Sequence, residues 1–540
     1  MRLFVAVCTI FALIGPGIAL AAAPPNDNFG HAKVISRLPY TDTLNTKQAT
    51  KGPQDSASCA PRTRRSVWYR FTPQSDMWVR ITTEGSDFDT VLSASTEADG
   101  VLNEVACDDD SGPRHTSNLV MLLTGGTTYS IMSASWQQSR GGRLAFSLRR
   151  SKPGCSNQVA TIVGTESDDE LTGTEGRDVI VGLGGDDSIE GLGSRDIVCG
   201  GDGDDTIRGD SGADTLFGGQ GADSLHGGFD SDEIFGEEGS DLLYGGSGSD
   251  LIVDQSDDNE RFFGGPGFDE LLSGRGNDSY DGGSAEDSLS FGTAVTAIDA
   301  NLLTGVISFD SFTQSIASVE SVTGTAGPDT LSGDSESNSL VGRGGADTIE
   351  GGEGDDFLSG GSGADALDGG NGDDSLSGDR NDDAIDGGDG DDSLFDAGGA
   401  NTISGGAGND VIEAFGGSNV VFGGDGGDSI FTGGGSDSVS GGDGRDIIFS
   451  GGGRDEIDGD AGDDALTAGG GSDLMIGGIG GDELFGGGQD DDMFGGPGDD
   501  FLSGESGNDA LDGGDDDDWL DGGLDIDVCS NGEQIHRCES

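Results

Sequence analysis

The chain has 540 residues, of which 105 are glycine and 102 are Asp or Glu, while only 32% are hydrophobic. No ordinary globular core has that balance; a solvated disordered chain or a regular repeat carries it. Charge is uneven: residues 1–152 hold 16 Lys or Arg against 13 acidic residues, whereas residues 153–540 hold 10 Arg, no Lys and 89 acidic residues, a net of −79. A half that acidic repels nucleic acid and anionic membranes, and its natural partner is a cation.

At the N-terminus Arg2 precedes an apolar run over 3–14, followed by Gly15, Pro16 and small residues to Ala23. That is the order of a cleaved Sec signal over 1–23, and the run is too short to span a bilayer. A secreted, extracellular protein without an integral membrane segment is expected. Six of the seven cysteines lie beyond the signal. An even number in an exported chain favours disulfides, although six permit fifteen connectivities. Proximity suggests Cys59–Cys107, Cys155–Cys199 and Cys529–Cys538.

Residues 24–150 have a normal mixture of residues, with β-rich runs at 66–71, 78–83, 90–95, 119–123, 127–133 and 143–148. Short strands at this spacing predict an antiparallel β-sandwich, folding independently of the acidic half around Val67, Tyr69, Ile81 and Leu92. The motifs SVWYRF (66–71), GSDFDTVLS (85–93), CDDD (107–110) and LTGGTTYSI (123–131) resemble pre-peptidase C-terminal domains. The resemblance implies a sandwich that accompanies enzymes or adhesive proteins and is not itself catalytic.

After a linker at 151–163 the chain divides into nines from Gly164: GTESDDELT, GTEGRDVIV, GLGGDDSIE and onward. Ten units reach Val253, ten residues interrupt (254–263), and three more units fill 264–290. A second block of 23 units fills 324–530. The sixth position is acidic throughout the first block, at Asp169, Asp178, Asp187, Asp196, Asp205, Asp214, Asp223, Asp232, Asp241 and Asp250, then at Asp269, Asp278 and Asp287. In the second block it is Asp329, Asp347, Asp356, Asp365, Asp374, Asp383, Asp392, Asp410, Asp428, Asp437, Asp446, Asp455, Asp464, Asp473, Asp482, Asp491, Asp500, Asp509, Asp518 and Asp527, with Asn338, Asn401 and Asn419 as the exceptions. The eighth position is apolar, as at Ile349, Leu358, Leu367 and Leu376. Random Gly/Asp-rich disorder would not hold this register, so the repeat is structural.

The units GGDGDDTIR (200–208), GGEGDDFLS (351–359), GGNGDDSLS (369–377) and GGDGDDSLF (387–395) resemble the RTX calcium-binding repeat. The resemblance covers about two thirds of the chain. It implies a parallel β-roll with two units per turn, six-residue loops alternating with three-residue strands, and calcium between loops of successive turns. Elementary chemistry agrees. Glycines permit positive φ and leave carbonyl oxygens unshielded, and calcium takes six to eight hard oxygen ligands from carboxylates and carbonyls. Residues 18 apart become neighbours, so Asp347, Asp365 and Asp383 form one ladder and Asp356, Asp374 and Asp392 the other.

The fold class is therefore all-β: an N-terminal antiparallel sandwich, then a long parallel β-roll in two blocks. A non-repeat β insert at 291–323, with strands at 294–298, 305–309 and 316–322, separates the blocks. A disulfide-closed cap at 531–540 ends the roll. The expected function is a calcium-binding protein whose array folds on many calcium ions, an extracellular scaffold or adhesive protein with a cell-surface or glycan partner. The alternative is an accessory region of an extracellular hydrolase, or a cryptic hydrolase. No HExxH or GxSxG motif occurs and only four histidines are present, so no enzyme is expected. Ninth-position aromatics (Phe431, Phe449 and Phe485 on one ladder, Phe422 and Phe494 on the other) form rows that either mark a contact surface or shield the sheet. At Asn401 and Asn419 the ligand carboxylate is lost on consecutive rungs, where calcium is expected to be weak or missing and the asparagines to bond along the ladder.

Overall fold

The computed structural model describes residues 23–55, 57–60, 63–98, 101–109, 115–136, 141–292, 295–532 and 534–538. The signal expected over 1–23 lies outside them but for Ala23. Two compact units result: one runs through Val163 and takes in Val179–Val181, and the other is the rest. Among the described residues no helix is long and apolar enough to cross a membrane.

Among the described residues, nine strands build the body of the first unit: β1 (Lys33–Ile35), β2 (Tyr40–Asn45), β3 (Arg64–Phe71), β4 (Met77–Thr82), β5 (Thr90–Ala98), β6 (Val101–Asp109), β7 (Asn118–Leu123), β8 (Tyr129–Ser135) and β9 (Arg143–Arg150), with two-residue strands following at Gly154–Cys155, Gln158–Val159 and Ile162–Val163. The nine form two sheets, β1-β3-β8-β5-β6 and β2-β9-β4-β7. All pairings are antiparallel except β1 with β3. One core draws on both sheets: Val67, Tyr69, Leu92 and Ile131 from the first, and Ile81, Leu119, Phe146 and Leu148 from the second. Tyr69 and Phe146 stack across it with centroids 3.9 Å apart. All six strands expected from the sequence are present. The three that were not expected, β1, β2 and β6, are short or alternate polar with half-buried residues, so they carry little apolar signal. Cys59 and Cys107 are bridged, with Cα atoms 5.8 Å apart.

The second unit is a parallel β-solenoid. Its strands fall into two long sheets, and within the regular runs a strand residue pairs with the residue 18 further on: Ile207 with Leu225, Leu225 with Leu243, Leu358 with Leu376. Eighth-position side chains from both sheets are buried between them, Ile207, Leu225, Ile349 and Leu358 at 0% exposure. The strands are longer than the expected three residues. Thr206–Ser211 and Ser224–Phe229 run from the seventh position of one unit through the third of the next. The loops stack closely enough that second and third positions pair as well, Asp210 with Gly228 and Ser211 with Phe229.

The two blocks are joined within the same sheets. Residues 254–263 form one further half-turn, linking Leu251–Asp254 in one sheet to Arg261–Pro266 in the other. Within 291–323 the strands are Asp299–Asn301, Val306–Phe309, Phe312–Ala317 and Ser321–Thr323; the first strand expected there, at 294–298, begins outside the described residues and its remainder, 295–298, is not a strand, while the one expected at 316–322 is interrupted at 318–320. In one sheet Ser288–Phe291 pairs directly with Ser321–Thr323. In the other, an antiparallel meander of three strands is spliced between Ser279–Ser284 and Thr330–Ser332. At the C-terminus Gln534–His536 pairs with Trp519–Asp521, His536 stacks on Trp519, and Cys529 is bridged to Cys538.

Candidate metal centre

The sixth-position carboxylates line the inside of the loops in two continuous ladders, almost all of them 0–3% exposed. Within the regular runs one oxygen of each has a fixed task. Oδ1 accepts the backbone N–H of the sixth residue one turn earlier: Asp187 N–H to Asp205 Oδ1 at 2.8 Å, Asp205 N–H to Asp223 Oδ1 at 2.7 Å, Asp356 N–H to Asp374 Oδ1 at 2.7 Å. A carboxylate is not needed for this, and Asn401 and Asn419 keep the ladder intact through the same amide oxygen, at 2.9 and 3.0 Å.

The second oxygen, Oδ2, turns into its own loop. In Asp205, Asp223, Asp365, Asp392, Asp446 and Asp500, among many others, it is buried with no hydrogen-bond partner. Beside it lies the first-position glycine. A Cβ on Gly477 would stand 2.6 Å from Asp482 Oδ2 and 2.6 Å from the carbonyl oxygen of Gly495, one turn further. Gly218 has the same neighbours, Asp223 Oδ2 and the Gly236 carbonyl oxygen at 2.7 Å. Two acceptors, one of them a carboxylate, therefore converge on a space free of side chain and donor. Second- and fourth-position glycines have a different reason. Gly219 and Gly221 have φ of +125° and +136°, and a Cβ on either would strike the equivalent carbonyl of the preceding turn.

Burying carboxylates in rows suppresses their ionisation. Desolvation and neighbouring aspartates push Asp214 and Asp223 up to about 7 and Asp232 up to about 8. Among the described residues no three His, Cys, Asp or Glu side chains gather as a metal site built from side chains alone. A cation here must draw on backbone carbonyls as well, the mixed oxygen set that suits calcium.

Not every rung has this form. Thr165, Thr174 and Thr325 occupy second positions and donate their backbone N–H and hydroxyl to Oδ2 of Asp169, Asp178 and Asp329. Asp278 Oδ2 receives Ser273, Tyr280 and Gln314 at 3.0, 3.1 and 2.7 Å. These four aspartates, counted among the ligands in the sequence reading, are satisfied by protein donors. Asn419 Nδ2 donates to the carbonyls of Ala414 and Gly416 in its own loop at 3.2 and 3.1 Å, so an amide stands where a cation would otherwise be needed. Thr432 and Ser450 fill two first positions and donate to the carbonyls of Ser450 and Ala468.

The structure also adds ladder members that sequence reasoning missed. Glu260 donates its N–H to Asp278 Oδ1 at 3.0 Å and accepts the N–H of Ser279 at its carbonyl, also at 3.0 Å, which places it on the ladder between Asp241 and Asp278. Its Oε2 is buried and unpartnered. Glu320 Oε2 accepts the N–H of Asp287 at 2.8 Å. A signal existed for both: counting nines from Gln255 puts Glu260 sixth and Phe262 eighth, and counting back from Gly324 puts Glu320 sixth and Val322 eighth.

Among curated proteins none matches the chain. Among solved structures, the catalytic unit of the thermostable GH87 alpha-1,3-glucanase from Streptomyces thermodiastaticus strain HF3-3 aligns over 92% of this chain and 97% of its own, at 9% identity and a TM-score of 0.13. A likeness that low carries no argument about fold or activity. The family described as RTX calcium-binding nonapeptide repeat (4 copies) matches residues 163–198, 190–225, 200–233, 217–252, 254–289, 323–358, 359–394, 396–430, 431–466, 467–502 and 494–529. Those segments make up more than half of the chain and coincide with the ladders of inward carboxylates, and the chain belongs to the RTX calcium-binding nonapeptide-repeat family.

Proposed function

We propose that this chain is a secreted scaffold whose solenoid folds on calcium, with the ions held by those sixth-position aspartates whose Oδ2 has no protein donor and whose first position leaves the loop free of a side chain. The observation that carries the reading is the pairing of such an Oδ2 with a carbonyl oxygen of the next turn around an empty first position, as at Asp482 and Gly495. Two acceptors turned toward one space repel unless a cation or proton lies between them, and a buried carboxylate without a partner is costly. On this reading Asp169, Asp178, Asp278 and Asp329 hold no ion. The disulfides fit an extracellular site of action, as does the N-terminal sequence. No catalytic role is assigned. The partner class is a cell surface or glycan, met by the outer sheet faces. There Phe431 and Phe449 stack at 5.4 Å, while Phe449, Phe422 and Phe494 remain 41–47% exposed.

Far-ultraviolet circular dichroism of the full chain tests the calcium reading. In chelator the β signal of the solenoid should be largely absent, and calcium at about 0.1–1 mM should restore it, with magnesium a poor substitute. A full β spectrum in chelator at neutral pH defeats it.

A further inference from the structure

Two rungs of the solenoid carry a second carboxylate. Asp254 follows the unit that ends at Val253, and Asp396 stands at a first position where most units have glycine. Each ends a four-residue strand, Leu251–Asp254 and Ser393–Asp396. Each has its Oδ1 held by the backbone N–H two residues on, Ser256 at 2.9 Å and Gly398 at 2.8 Å. That bond aims Oδ2 toward the preceding turn. Around Gly236, a Cβ would meet Oδ2 of both Asp254 and Asp241, the latter at 2.6 Å; around Gly378 it would meet Oδ2 of both Asp396 and Asp383, the latter at 2.8 Å. At the regular Gly218 the corresponding pair is one carboxylate and one carbonyl. The same construction thus occurs twice, far apart in the chain.

All four side chains are buried, at 0–3% exposure, and all four Oδ2 atoms lack a hydrogen-bond partner. Asp241 and Asp383 cannot turn away, because their Oδ1 atoms accept the N–H of Asp223 and Asp365, both at 2.8 Å. Among the described residues no positive group lies between the facing oxygens; the nearest donor is the Asn401 amide beside Asp396, and it leaves Oδ2 of Asp396 without a hydrogen bond.

We propose that Asp241 with Asp254, and Asp383 with Asp396, are two-carboxylate calcium sites that bind more tightly than the one-carboxylate rungs and fill before them. The proposal rests on the reading of the array as a calcium solenoid given above. Its logic is positional. A regular rung takes an oxygen from the first-position glycine of the next turn. Beyond Asp241 that turn is the irregular one carrying Glu260; beyond Asp383 begins a run whose first positions are Asp396, Ala414, Thr432, Ser450 and Ala468. Where the regular run stops, a carboxylate takes over from the carbonyl and contributes a full charge, and ligand charge is what sets calcium affinity in otherwise similar sites. The unit with Asn401 is then no simple gap: its carboxylate has moved from the sixth position to the first, where it serves the turn before.

The test is a calcium titration of the full chain, with bound ions counted by equilibrium dialysis and metal analysis, alongside Asp254→Asn, Asp396→Asn and the double variant. The native chain should show a class of two ions saturating at calcium concentrations about tenfold or more below the rest. Each single variant should lose one ion of that class and leave the bulk class unchanged; the double variant should lose both. A single class in the native chain, or a tight class that survives in both single variants, overturns the proposal while leaving the calcium solenoid in place. Absence of calcium binding altogether overturns the underlying reading. If the double variant does not fold at saturating calcium, the single variants decide.

Discussion

Gly477→Ala puts one methyl group into one loop. Gly477 is not in the left-handed region, so alanine is acceptable to its backbone. What the methyl meets is Asp482 Oδ2 and the Gly495 carbonyl oxygen, each 2.6 Å away. Neither can retreat: Asp482 Oδ1 holds the N–H of Asp464 at 2.9 Å, and Gly495 belongs to the ladder of the next turn. The array already accepts alanine at the first position of the neighbouring unit, Ala468, so the turn should form and the ion be excluded. One ion fewer costs about 2.7 kcal/mol at calcium a hundred times its dissociation constant, and only about 0.4 kcal/mol at the dissociation constant itself. Reversible urea unfolding at those two calcium levels, with ions counted by dialysis, should show that scaling and one ion lost per chain. An unchanged ion count, or a loss of stability that does not vary with calcium, refutes the reasoning.

Further outcomes follow from the same geometry. In chelator, Asp214 and Asp223 titrate near 7 and Asp232 near 8, against about 3.9 for an unfolded Asp, because burial disfavours their charge. The folded chain then binds more protons than the unfolded one between about pH 4 and 8, so the stability they confer is present at the acid end and lost as pH rises through 7–8. Circular dichroism in chelator should gain β signal from pH 8 to 5, while calcium affinity falls over the same range; loss of β signal on that acidification counts against it. Asn419→Asp replaces a donor to Ala414 and Gly416 by an acceptor beside the methyl of Ala414 and should cost about 1–3 kcal/mol without adding an ion. Glu237→Gly relieves a left-handed φ of +77°; calorimetry should show a gain of about 1 kcal/mol.

Much of the architecture was legible because the repeat is strict. An apolar residue every nine positions, with an acidic residue two before it, fixes which side chains face inward, and Ile349, Leu358 and Leu367 lie where that pattern puts them. The interruptions were harder to read. Residues 254–263 are a unit with one residue added, and glycine is so scarce there that the unit hides, although Glu260 and Phe262 keep their places. In the sandwich, β6 was missed because an edge strand needs only one partner and buries little, so its sequence carries charge that reads as loop.

The sequence by itself determined the period, the inward eighth position, the buried sixth position and the chemical class of the ion. Those follow from local spacing, since a turn of 18 residues brings like positions together whatever the rest of the chain does. Which aspartates need an ion was decided only by the tertiary structure, because Asp169 and Asp187 look alike along the chain and differ in what fills the space beside Oδ2. Thr165 donates to the first, whereas the second faces a glycine and a carbonyl one turn away. The pairing of Asp241 with Asp254, and of Asp383 with Asp396, likewise exists only across successive turns. A cation answers to all the oxygens around one point in space, and those oxygens come from residues that no single nonapeptide contains.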